Sequence, residues 1–167
     1  MRFFIIIIGL IALAGIMVTV VVTAVTSNIT ATVTAQNVAL YIDDATISYG
    51  SLATSGRAST TSDGVNDTQA VGNSGNVVAD FAVQGTDSAN WTLESAIGTN
   101  QYTHRLSTTT SDTTPQWKEI AAGSYLTVTT SVAVNTTSSM DFAIQLPSAT
   151  TFYDSQSVNI TVQASAP

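Results

Sequence analysis

Beyond residue 28 the apolar positions alternate with polar ones at nearly every stretch. Ile29, Ala31, Val33 and Ala35 alternate with Thr30, Thr32, Thr34 and Gln36, and Val38, Leu40 and Ile42 continue the run, which predicts a first strand over 28–42. Ile47 and Tyr49 belong to the next strand. Residues 50–76 are rich in Gly, Ser, Thr and Asn and predict a long loop or short edge strands. Val77, Ala79, Phe81 and Val83 alternate with Val78, Asp80, Ala82 and Gln84, followed by Trp91 and Leu93, then Tyr102, His104 and Leu106. Leu126, Val128, Val132 and Val134 share a parity, as do Met140, Phe142, Ile144 and Leu146, and finally Val158, Ile160, Val162 and Ala164. About eight to ten short strands separated by turn residues predict an all-β fold, a two-sheet sandwich wired as a jelly roll or an immunoglobulin-like domain. Pro115, Pro147 and Pro167 fall outside the predicted strands, as ladder hydrogen bonding requires. No helical stripe appears after residue 28.

The front of the chain breaks this pattern. Residues 3–25 are uncharged and apolar, and as a helix would span roughly 34 Å, enough to cross a bilayer. Met1-Arg2 precedes the run, and the next charges are Asp43 and Asp44, an asymmetry that predicts the N-terminus inside and the rest exported. The expected organisation is therefore an apolar export, transmembrane or filament-core helix over 1–27 and an extracellular β-sandwich over 28–167. The segment is either retained or cut at a small-residue site such as Val22-Thr23-Ala24 or Val33-Thr34-Ala35.

Composition narrows the function. Charged residues make up 9% of the chain, against roughly 25% in ordinary soluble domains. Four basic residues, Arg2, Arg57, Arg105 and Lys118, face eleven acidic ones, for a net charge of −7. So few cations cannot neutralise a row of phosphates, which argues against nucleic acid and against anionic headgroups as partners. Without cysteine there is no disulfide, thiolate metal site or cysteine nucleophile.

Candidate chemistry is sparse. His104 is the sole histidine, and its parity with Tyr102 and Leu106 predicts a packed or rim side chain. No catalytic, cofactor-binding or metal-ligating residue is assigned, and no enzymatic activity is expected. Calcium needs only oxygens, so Asp43, Asp44, Asp63 and Asp67, with Asn66, are the carboxylate and amide groups to place. Asn28, Asn66, Asn90, Asn135 and Asn159 each begin an Asn-x-Ser/Thr sequon, making an N-linked glycan a candidate modification, with Asn66 and Asn135 in predicted loops. Trp91, Trp117, Tyr102 and Tyr125 would form a sugar platform only if two faced solvent together. Lys118, the sole lysine, would be the donor of any isopeptide bond.

The stretches SGNVVADFAVQGTDSANWTLES, QYTHRLS, PQWKEI and SVNITVQA resemble exported prokaryotic surface β-sandwiches. An apolar signal followed at once by a strand is similar to the camelysin/TasA-like fibre proteins and the archaeal bundling pili. That resemblance implies jelly-roll subunits joined by strand donation. The apolar run also resembles the N-terminal helix of archaeal type IV pilins, though only Met1-Arg2 precedes it and no Glu occurs before Glu94.

The expected function is a structural subunit of an extracellular filament, pilus or surface coat. It would assemble with copies of itself by donating residues 28–42 or by packing the 3–25 helices, and would meet the membrane through 3–25 at least before assembly. The alternative expectation is a membrane-anchored, monomeric cell-surface binding domain, for instance for glycans.

Overall fold

The computed structural model describes residues 26–61, 64–108 and 116–167. The chain divides into two units, Met1–Val33 and Thr34–Pro167. In the first, residues 26–33 carry no regular secondary structure and are exposed; the helix expected over 3–25 lies outside the described residues. Among those residues every regular element is a strand.

The described residues of the second unit hold ten strands: β1 (Leu40–Ile42), β2 (Arg57–Ser59), β3 (Gln69–Asn73), β4 (Ala79–Gly85), β5 (Thr92–Leu93), β6 (Gln101–Ser107), β7 (Lys118–Glu119), β8 (Leu126–Val132), β9 (Thr137–Gln145) and β10 (Ile160–Ser165). Seven form one sheet in the order β1-β3-β9-β6-β5, with β2 also on β9 and β7 also on β6; β10-β4-β8 form the other. All pairings are antiparallel except β5 with β6.

Alternation explains which side chains fill the space between the sheets. On β4, Ala79, Phe81, Val83 and Gly85 are buried while Asp80, Ala82 and Gln84 are not. Ala79, Phe81 and Val83 join Tyr102 and Leu106 from β6, Met140, Phe142 and Ile144 from β9, and Val128 and Val132 from β8 in one hydrophobic cluster. Gly85 is needed for this packing: a Cβ there would stand 2.4 Å from Leu93 Cδ2 and 3.0 Å from Ile120 Cγ2.

Buried polar groups in this core are paired, as burial away from water demands. Asn73 donates to the carbonyls of Val77 (2.8 Å) and Val132 (2.9 Å) and accepts from the Gly75 amide (2.9 Å), tying the end of β3 to the turn before β4 and to β8 of the other sheet. Asp141 accepts from the hydroxyls of Thr60 (3.0 Å) and Thr68 (2.6 Å).

Three sequence expectations are corrected here. Among the described residues the strand over 28–42 exists only as Leu40–Ile42; residues 26–39 carry no strand. Ile47 and Tyr49 are half-buried but belong to no strand; Tyr49 is anchored through its side chain, its hydroxyl 2.9 Å from His104 Nε2. Within 50–76, β3 is not an edge: it lies between β1 and β9, with Val71 buried.

Candidate assembly surface

Residues 34–38 are exposed, and their attachment to the domain comes from the 73–76 turn. Asn76 Oδ1 accepts the Asn37 amide at 2.7 Å, Asn76 Nδ2 donates to the Ala35 carbonyl at 2.8 Å, and the Asn76 amide donates to the Asn37 carbonyl at 2.9 Å. The Ser74 amide adds a bond to the Ala39 carbonyl at 3.1 Å. This turn is tight for a steric reason: a Cβ on Gly75 would sit 2.3 Å from the Asn37 carbonyl oxygen. The root of the segment is thus fastened just before β1. Further out, Ile29 is 96% exposed and Val33 97% exposed. An apolar–polar alternation that would be buried on one side of a sheet here remains in solvent.

The sheets present two long edges, and they differ. β8 is bent by register shifts against β4, and its Ser131 adopts φ of 57°, with the Ser131 amide donating to Asp80 Oδ1 at 2.8 Å. Bulges of this kind blunt an edge against further pairing. β10 has none: it pairs with β4 through six consecutive residues, and among the described residues its other edge has no strand partner. Its sequence, ITVQAS, contains no charge and no proline. On its inward face Ile160, Val162 and Ala164 are only half-buried although they pack on the core, while Thr161, Gln163 and Ser165 are exposed. The inward row of β10 is therefore incompletely covered, in contrast to Val128 and Val132 of β8, which are buried.

His104 is buried in the core, with Nε2 at 2.9 Å from the Tyr49 hydroxyl and its ring against Tyr49, Tyr102 and Phe142. Burial pushes its pKa down to about 4, so the ring is neutral at pH 7. Burial, with the charge of Asp67 adding to it, raises the Tyr49 hydroxyl well above its usual range; burial and Asp87 do the same for Tyr102, whose hydroxyl donates to the Thr86 carbonyl.

The acidic candidates are dispersed. Asp43 and Asp44 are exposed, and Asp44 Oδ1 accepts from the amide and hydroxyl of Thr46. Asp67 accepts from Gln69 Nε2 at 2.9 Å, and Asp63 lies outside the described residues. Among the described residues no three His, Asp or Glu side chains gather to hold a metal. Asn28, Asn66, Asn90, Asn135 and Asn159 are all exposed.

The aromatic candidates do not form one platform. Tyr102 is core and Tyr125 is 45% exposed. Trp91 lines a cleft of about 320 Å³ with Phe152, Tyr153 and Asp154, its indole N–H donating to the Thr150 hydroxyl at 3.1 Å. Trp117 lines another, of about 350 Å³, with Arg57 and Arg105. Lys118 is exposed on β7. Sequence reasoning missed Asn76 and Arg57. Asn76 carried one signal, an Asn beside Gly75 in a turn; Arg57 carried none, since only strand register shows what it faces.

The fold defines the class: an all-β domain of two sheets. No protein family, curated protein or solved structure matches the chain.

Proposed function

We propose that the protein is a structural subunit of an extracellular filament or surface coat, exported through its apolar N-terminal segment and assembling with copies of itself. The sheets would form a sandwich of jelly-roll or immunoglobulin-like wiring. The observation that carries this reading is the exposed, alternating stretch ahead of β1, set against the uncovered edge of β10. Because Leu40–Ile42 stay paired with β3 and the backbone of Ala35, Asn37 and Ala39 is held by the 73–76 turn, the stretch available to a neighbour is 28–34 rather than 28–42. It places Ile29, Ala31 and Val33 on one face and Thr30, Thr32 and Thr34 on the other. Added to β10 of a second copy, that strand would satisfy free backbone groups and cover Ile160, Val162 and Ala164. Burying Ile29 and Val33 would contribute about 1.5–3 kcal/mol each. Assembly through packing of the 3–25 helices is the other route to the same polymer.

Native protein isolated without denaturant is expected as filaments or sheets by negative-stain microscopy. The pair Ile29→Asp and Val33→Asp is expected to disperse them. Only dispersed monomers from the unaltered chain would contradict the reading.

A further inference from the structure

Two of the chain's four basic residues, Arg57 and Arg105, fall on the outer face of the seven-stranded sheet. Directly paired residues point to the same face of a sheet. Register aligns Arg57 with Gln145 and Gln145 with Thr103 in one row, and Ser59 with Ala143, Arg105 and Glu119 in the next. Arg57 and Arg105 thus lie diagonally across β9, with Cα atoms ~12 Å apart from ordinary strand spacings. Between them the floor is small: Ser59, Thr103 and Ala143. Trp117 and Gln145 help to wall the resulting cleft of about 350 Å³.

Among the described residues Arg57 has no ion pair. Arg105 is paired through Nε with Glu119 Oε1 at 2.7 Å, which leaves its two terminal amino groups for a further acceptor. The chain has four basic residues against eleven acidic ones, and two of the four border this one cleft.

We propose that the cleft binds an acidic sugar. The two Arg side chains suit an oxyanion, a carboxylate or a sulfate ester, either of which offers a pair of oxygens to a guanidinium fork. Trp117 offers a ring for the sugar's C–H face, and Ser59, Thr103 and Gln145 offer hydroxyl and amide partners for its hydroxyls. A cavity of this size suits a small ligand, whereas a protein partner needs about 800 Å² on each side. The site is separate from β10 and from residues 28–39, so it stands or fails independently of strand donation.

The test is calorimetric titration of the full-length chain in mild detergent with trigalacturonate, glucose 6-sulfate and neutral maltotriose. Indole N–H resonances are followed by NMR. Trigalacturonate, the sulfate or both are expected to bind and to shift the Trp117 indole signal but not that of Trp91; which of them binds identifies the oxyanion. Arg57→Gln and Arg105→Gln are each expected to weaken binding about tenfold or more. Arg57→Lys, which keeps the charge and loses the fork, is expected to fall between. Unfolding curves of each variant confirm that the domain is intact. Equal binding of maltotriose, or affinity unmoved by both Arg→Gln changes, would overturn the proposal. So would no binding of either acidic sugar; loss of self-association in Arg57→Glu would then assign the cleft to a second copy.

Discussion

Asn76 grips Asn37 from both sides of its peptide: its side-chain oxygen takes the Asn37 amide at 2.7 Å, and its own amide meets the Asn37 carbonyl at 2.9 Å. The backbone bond survives a side-chain change, whereas the two made by the Asn76 side chain, to Asn37 and Ala35, do not. Asn76→Ala is therefore expected to loosen residues 35–39 and leave the core alone. Each lost bond is worth about 0.5–1.5 kcal/mol, so amide exchange at Asn37 should quicken about tenfold with the global unfolding midpoint nearly unchanged. Unaltered protection at Asn37 would mean that the Asn76 side chain does not hold this segment.

A second prediction concerns Gly85, which leaves room for Leu93 and Ile120. Gly85→Ala puts a methyl 2.4 Å from Leu93 Cδ2, and overpacking of a buried site costs about 1–3 kcal/mol. In a Leu93→Ala background the same change should cost much less, because the obstructing methyl is gone. Urea unfolding of the two single variants and the double variant measures this coupling. Strict additivity would show that Leu93 does not set the cost.

How far these contacts were legible in the sequence differs by element. β4, β6, β9 and β10 were readable because their inward residues are large and apolar, as in Phe81, Leu106, Phe142 and Ile160. β3 was not, because its buried positions include Gln69, Gly72 and Asn73, and the two amides are tolerated only through hydrogen bonds, of Gln69 to nearby Asp67 and of Asn73 to distant Val132. Residues 28–39 show the opposite failure. Alternation tells which face of a strand prefers burial but not whether a partner strand is present, and residues 28–34 have none among the described residues. The Arg57–Arg105 cleft was illegible for a third reason: its residues are scattered from 57 to 145 and meet only through the register of β2, β9 and β6.

A pH dependence follows from His104. Its pKa is lowered from 6.5 to about 4 in the folded protein, so the unfolded chain takes up a proton that the folded one refuses. Above pH 6.5 both states are neutral and no stability is lost. As pH falls below 6.5 stability declines, and the loss levels off near pH 4, where the folded ring also protonates. Between pH 7.5 and pH 5 the decline is about 2 kcal/mol. Urea unfolding across that window should show it, and His104→Gln should remove it. A wild-type profile parallel to that of His104→Gln would contradict the assignment.

The central claim is that residues 28–34 of one copy lie along β10 of another. The chain has no cysteine, so paired cysteines report this contact without background. Val33→Cys combined in turn with Ile160→Cys, Val162→Cys or Ala164→Cys covers three successive inward positions of the edge and so allows for register. After mild oxidation of assembled protein, at least one pair is expected to give a ladder of disulfide-linked dimers, trimers and higher species on non-reducing gels, collapsing on reduction. Monomers alone from all three pairs, whether unlinked or closed internally, would contradict strand donation.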